Sequence, residues 1–129
     1  MSVNFDRVIP ILRIFSVDKA KEFYVDFLGF TCDWRHSFDS NFPEYLQISR
    51  EGVILHLSEH HGDSVPGAAV IVNMTGIDAL HAELTAKNYR FAKPGIEDMP
   101  WNARAMRVTD PFGNRLTFSE SNEGKAAAP

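Results

Sequence analysis

The sequence predicts an α+β protein built from two βαβββ modules. Three observations carry this reading. A short apolar strand, an amphipathic helix and further strands occur in that order twice. The two copies fall in register: Val17-Asp18 recurs as Ile77-Asp78, sixty residues on, and the same shift carries Ile9 onto Ala69 and Tyr24 onto Leu84. The chain then closes on a strand, turn and strand between Arg107 and Glu120. The modules are expected at residues 5–62 and 66–120 of a single domain spanning 1–129, with a frayed tail at 121–129.

Each element follows from local chemistry. Val8 to Ile14 is short, apolar and β-branched, and Pro10 puts that strand at an edge or a bulge. Ser16 or Asp18 caps the helix that follows. Its inner face is Ala20, Phe23, Tyr24, Phe27 and Leu28, and Gly29 ends it. Phe30–Phe38 and Glu44–Ser49 read as strands around an Asp39-Ser40-Asn41 loop. Glu51-Gly52 turns the chain into a fourth strand, Val53–Leu57.

His60 to Gly67 is a polar connection, after which the order restarts. Ala68–Met74 is a strand. Thr75 is expected to cap the second helix, with Asp78 completing a capping box. Ile77, Leu80 and Leu84 form its apolar face, and Asn88 closes it. Phe91–Lys93, Ala103–Thr109 and Arg115–Ser119 supply the last strands, with Glu97-Asp98 in a loop before Met99-Pro100-Trp101. In Asp110-Pro111-Phe112-Gly113-Asn114, Pro presets φ, while Gly and Asn tolerate positive φ.

Bulk composition narrows the function classes. The 129 residues are enough for a real core. A formal net charge of −4 disfavours nucleic acid and tolerates a cationic ligand. Cys32 is the single cysteine, so no intrachain disulfide forms and a reducing cytoplasm fits. The N-terminus lacks a signal-peptide pattern, and no apolar run approaches the roughly 20 residues of a membrane span. The sequon Asn73-Met74-Thr75 is chance in a cytoplasmic protein.

Local motifs for catalysis are sparse. His56-Leu57-Ser58-Glu59-His60 spells H-x-x-E-H, but that zinc-protease motif needs a helix, and here the periodicity is that of a strand. At strand rise His56 and His60 stand about 13 Å apart, too far for one ion. His56 alone reads either as a satisfied buried histidine or as a ligand contact. His60 and His61 read as a solvated linker, with metal capture alongside Asp63 as the lesser alternative. No nucleophile elbow, phosphate loop or dinucleotide fingerprint is present. Cys32 has no adjacent base and reads as a small buried residue.

The closing motif resembles that of the glyoxalase/bleomycin-resistance/dioxygenase family, the vicinal oxygen chelate fold, whose pattern is D-P-x-G-N-x-[IL]-E-[FL]. Ile9-Pro10-Ile11-Leu12, Phe23-Tyr24, Leu28-Gly29-Phe30 and Pro100-Trp101 are similar to its bleomycin-resistance branch. The resemblance spans residues 8–120 and implies two modules forming a cup-shaped half-barrel, closed by homodimerisation. Metal-dependent members place one ligand on each of the first, fourth, fifth and eighth strands. The matching positions here are Ile9, His56, Ala69 and Thr117, so one ligand type of four survives and no metal or other cofactor is expected.

The resemblance therefore implies a metal-free protein that sequesters a bulky cationic aromatic antibiotic, such as a bleomycin-type glycopeptide. Trp34, Phe38, Phe42, Tyr45, His56 and Trp101 would contact the ligand, and Glu97 and Asp98 would attract its cationic tail. Core packing explains each aromatic singly, and Glu97-Asp98 reads equally as a solvated loop. Two rival readings are an enzyme of this fold (lyase, isomerase, thiol transferase or dioxygenase) with a non-standard or absent metal site, and a binding module for another small metabolite.

Overall fold

The computed structural model describes residues 2–37 and 43–123. Phe38, Phe42 and the Asp39-Ser40-Asn41 loop lie outside the described residues, as do residues 124–129 of the expected tail.

The first module comprises β1 (Ile11–Arg13), α1 (Val17–Lys21), β2 (Thr31–Ser37), β3 (Glu44–Arg50) and β4 (Val53–Ser58). The second comprises β5 (Ala69–Asn73), α2 (Ile77–Ala86), β6 (Ile96–Met99), β7 (Ala103–Thr109) and β8 (Arg115–Ser121). Each contributes a four-stranded sheet, ordered β1-β4-β3-β2 and β5-β8-β7-β6. In both, the first strand lies parallel to the last and at the sheet edge, and the other pairings are antiparallel. The edge position predicted from Pro10 is therefore found, although β1 is shorter than Val8–Ile14. Pro10 serves the sheet through its carbonyl, which accepts from the His56 amide at 3.0 Å.

Both helices begin where the repeat placed them, at Val17 and Ile77. Ser16 caps α1, its Oγ accepting from the Lys19 amide at 3.2 Å. After Lys21 the helix widens into a π-helical stretch, Glu22–Phe27, which periodicity did not reveal. It keeps Phe23, Tyr24 and Phe27 buried. Gly29 follows with φ of 78°, where its amide reaches the Val25 carbonyl at 3.1 Å.

Two expectations for the second module are corrected. Thr75 does not cap α2. The N-cap is Gly76, with φ of 86° and no side chain to offer, and the buried Glu120 of β8 accepts from the Ile77 amide at 2.8 Å. A carboxylate from another strand thus replaces the local box and complements the helix dipole. Asp78 instead binds Arg104 bidentately, at 2.8 and 3.0 Å. The second correction concerns Phe91–Lys93, which forms no strand. Pro94 and Gly95 interrupt the chain, and pairing with β7 starts at Ile96 opposite Met106. Glu97 and Asp98 therefore lie on a strand, not in a loop, and alternation sends them to opposite faces.

The modules share one core through their helix-bearing faces. Leu12, Leu46, Ile48, Leu55 and Leu57 of the first sheet join Met106, Val108, Leu116 and Phe118 of the second around the helices. Arg50 grips Glu83 through two hydrogen bonds of 2.8 Å, and Lys87 donates to the carbonyls of Asp26 and Phe27.

The Asp110–Asn114 turn joins both modules. The buried Asp110 carboxylate accepts from the amides of Phe112 and Asn114, from Asn114 Nδ2, and from the Tyr24 hydroxyl at 2.6 Å. Burial, with the Asp110 carboxylate beside it, holds the Tyr24 phenol far above its ordinary range, so it stays a donor. Asn114, with 0% exposure, donates through Nδ2 to the Arg13 carbonyl at 2.8 Å and accepts through Oδ1 from the Ala68 amide at 3.2 Å. It thus ties β1 to the start of β5. Asn114→Ala should cost about 3 kcal/mol, because it strands buried backbone groups in two modules at once. Urea unfolding at unchanged m-value would measure this, and a loss below about 1 kcal/mol would show that the joint lies elsewhere.

Candidate functional site

Each sheet keeps one face against the helices and leaves the other open. In the first module the inward set is Leu46, Ile48, Leu55 and Leu57. Tyr45, Gln47 and Ser49 of β3 and Ile54 and His56 of β4 alternate with them and point outward. On β2 a register shift between Cys32 and Trp34 breaks the alternation, so both Asp33 and Trp34 reach the open face.

Three of the expected ligand-contact residues meet there. Trp34 stacks on Tyr45 with centroids 6.0 Å apart and planes 11° from parallel. The His56 ring stands edge-on to both, at 5.3 Å from Trp34 and 5.1 Å from Tyr45. Trp34 remains 44% exposed, so the cluster presents an aromatic surface to solvent.

A hydrogen-bond chain underlies these rings. Tyr45 Oη lies 2.7 Å from His56 Nδ1, and His56 Nε2 lies 3.0 Å from Gln47 Oε1. Gln47 Nε2 donates to Asp33 Oδ2 at 3.1 Å, and Ser49 Oγ donates to Asp33 Oδ1 at 3.0 Å. The direction of the chain follows from its end. Asp33 only accepts, so Gln47 presents its oxygen to His56, Nε2 carries the proton, and Nδ1 accepts from Tyr45. Burial pushes the His56 pKa below its ordinary value, favouring this neutral form. Burial, and secondarily the Asp63 carboxylate, raise the Tyr45 phenol. A cavity of about 300 Å³ opens beside Tyr45, lined by His36, Pro43, Glu44, Ser58, His60 and Asp63.

Asp33, Gln47 and Ser49 were not predicted as site residues. Gln47 and Ser49 share the parity of Tyr45, which periodicity could have shown. Asp33 was hidden because the bulge reverses its parity.

The other expected residues are dispersed. Trp101 sits at the β6–β7 turn, 68% exposed, and makes no ring contact with Trp34, Tyr45 or His56. Glu97 pairs with Ala105 and shares the second module's open face, whereas Asp98 lies opposite Arg104 on the helix side. The acidic pair expected on one rim is thus divided. His60 and His61 stack on each other at 5.0 Å in the exposed connection, so the H-x-x-E-H string occupies a strand end and a loop.

The donor set does not fit a divalent metal. β1 and β5 are equivalent: Ile11 pairs with His56, and Ile71 with Thr117. Ile9, Ile11, Ala69 and Ile71 offer no donor atom, Thr117 is a poor neutral ligand, and both His56 nitrogens are engaged. Among the described residues no three His, Cys, Asp or Glu side chains cluster.

A family model described as glyoxalase superfamily protein matches residues 1–125. The chain belongs to the glyoxalase superfamily. Among solved structures, this glyoxalase-superfamily chain is similar to a bleomycin-binding protein from bleomycin-producing Streptomyces verticillus, solved with copper(II)-bleomycin. Identity is 27% and the TM-score 0.68, over 91% of this chain and 97% of that one. A superfamily member from Sphaerobacter thermophilus matches at 25% identity and TM-score 0.67, over 91% and 98%. A bleomycin resistance determinant encoded on transposon Tn5 shares the fold at 17% identity and TM-score 0.70, over 91% and 98%. No curated protein sequence matches the chain at a significant level.

The neutral state of His56 sets a pH dependence. Its folded pKa lies below the ordinary 6.5, so protonation favours the unfolded chain. This contribution is neutral above pH 6.5, and stability falls as the pH drops from there through the folded pKa. Unfolding curves between pH 7.5 and pH 4.5 should lose part of that fall in His56→Gln, and a native His56 titration midpoint at or above about 6.5 would refute it.

Proposed function

We propose that the protein binds and sequesters a bulky, partly aromatic small molecule without transforming it. The carrying observation is the exposed Trp34–Tyr45–His56 surface on a hydrogen-bond chain in which every member is already satisfied. Such a surface offers stacking area on rigid strands but no free base or nucleophile. The enzyme alternative would need a proton acceptor or a metal, and the open face supplies neither from the residues that resemblance would assign.

The specific ligand proposed is a bleomycin-type glycopeptide, on the strength of the similarity to bleomycin-binding proteins. Its flat heteroaromatic part would stack on Trp34, and its cationic tail would meet Asp33, which replaces the divided Glu97 and Asp98 in that role. Trp101 would make an outer rim contact. Titration with metal-free bleomycin, followed by tryptophan fluorescence and calorimetry, tests this. Trp34→Ala should weaken binding roughly tenfold, since stacking and cation–π contacts are worth about 1–2 kcal/mol, and should barely change the melting temperature. Saturable binding indifferent to Trp34 would move the site off this face, and no binding at millimolar bleomycin would remove the ligand assignment.

We further propose that two chains bring their open faces together, the first module of one opposite the second module of the other. Support comes from a single chain's uncovered faces: Ile71, on β5, is 70% exposed. Light scattering should give about 29 kDa, twice the 14.5 kDa chain, and a monomer at micromolar concentration would overturn the pairing.

A further inference from the structure

The second module's open face carries a charge arrangement that the aromatic reading does not use. Arg107 on β7 pairs with Thr117 on β8, and Thr109 pairs with Arg115. Arg107 and Arg115 are therefore diagonal neighbours on one face, with backbones roughly 7–8 Å apart. Both are exposed, and neither forms an ion pair with a carboxylate among the described residues. Arg35, Arg50 and Arg104, by contrast, each hold a carboxylate. Like charges set diagonally on one sheet face repel, so the pair carries an electrostatic cost that a bound anion would offset.

Thr117 completes the arrangement. Its Oγ accepts a long contact from Arg107 Nε at 3.4 Å, which leaves its own proton to donate outward. Three donor side chains thus share one patch. Its neighbour on the β5 side is apolar: Ala69 pairs with Arg115 and the exposed Ile71 with Thr117. Glu97, opposite Ala105 and thus the diagonal neighbour of Arg107 on its β6 side, makes no ion pair with it.

We propose that Arg107, Arg115 and Thr117 form a subsite for the oxyanion of an organic acid, with Ala69 and Ile71 against its carbon skeleton. The recognised chemistry is a carboxylate, sulfonate or phosphate ester on an apolar body. Guanidinium forks match such planar or tetrahedral oxygens, and the threonine hydroxyl adds a third donor. The subsite goes beyond the stacking assigned to Trp34 and uses different residues.

The test employs two fluorescent probes of nearly equal shape, 8-anilinonaphthalene-1-sulfonate and the uncharged N-phenyl-1-naphthylamine. The sulfonate should bind wild type at least tenfold more tightly. Arg107→Glu and Arg115→Glu should each abolish that ratio without changing the far-ultraviolet circular dichroism or the melting curve, while the remote Lys93→Glu should retain it. Equal affinity for the two probes in wild type, or a preference that survives both charge reversals, would overturn the proposal. Displacement of the sulfonate by inorganic phosphate at the sulfonate's own affinity would overturn the organic part, since the apolar body would then contribute nothing. Trp34→Ala leaves the sulfonate-to-neutral ratio unchanged, so failure of the stacking reading and failure of this one appear in different variants.

Discussion

The fold depends on one buried carboxylate and one buried amide at the Asp110–Asn114 turn. Asp110 accepts four hydrogen bonds, two of them from backbone amides of its own turn. The turn is thereby made rigid enough to project the Asn114 side chain into the joint between the modules. There it satisfies the last carbonyl of β1 and an amide just before β5, residues far apart in sequence. Buried polar groups cost stability when unmatched, so this joint accepts one relative placement of the modules and rejects others. The Tyr24 hydroxyl adds a third element, binding the first helix to the last hairpin. The shared core and the Arg50–Glu83 pair then close around a geometry already specified.

That geometry leaves two sheet faces uncovered, and they differ in chemistry. The first module presents aromatic rings over a saturated hydrogen-bond chain ending on Asp33. The second presents arginines, a threonine and exposed aliphatic carbon. The two faces descend from equivalent strands: Ile11 opposite His56 matches Ile71 opposite Thr117. Brought together across a pair of chains, they would enclose a ligand carrying both a flat ring and ionic groups.

Much of this was legible from local pattern. The turn chemistry of Glu51-Gly52 and Asp110–Asn114 and most of the strand and helix spacing act within a few residues and produced the elements expected, whereas the π-helical stretch, the bulge in β2 and the absent strand at Phe91–Lys93 departed from simple periodicity. The sixty-residue register located both helix starts. Among the site residues, Trp34, Tyr45 and His56 did converge, because they sit on three adjacent strands of one sheet. Two of the expectations that failed depended on a partner on another strand. Thr75 looked like a cap until Glu120 of β8 occupied the Ile77 amide, and Glu97-Asp98 looked like a loop until β7 paired with it.

Element order, the internal repeat and the turn that closes the fold were readable from residue identity and short-range sterics, which act within a few residues. Which side chains share a face depended on how the strands pair. The bulge at Cys32–Trp34 turns Asp33 beside Trp34 against simple alternation. Strand pairing sets Gln47 against His56 and so selects its tautomer. The antiparallel register of β7 and β8 places Arg107 and Arg115 side by side. Facing and register are fixed by hydrogen bonds between strands and by bulges, which the residue pattern within one strand does not encode.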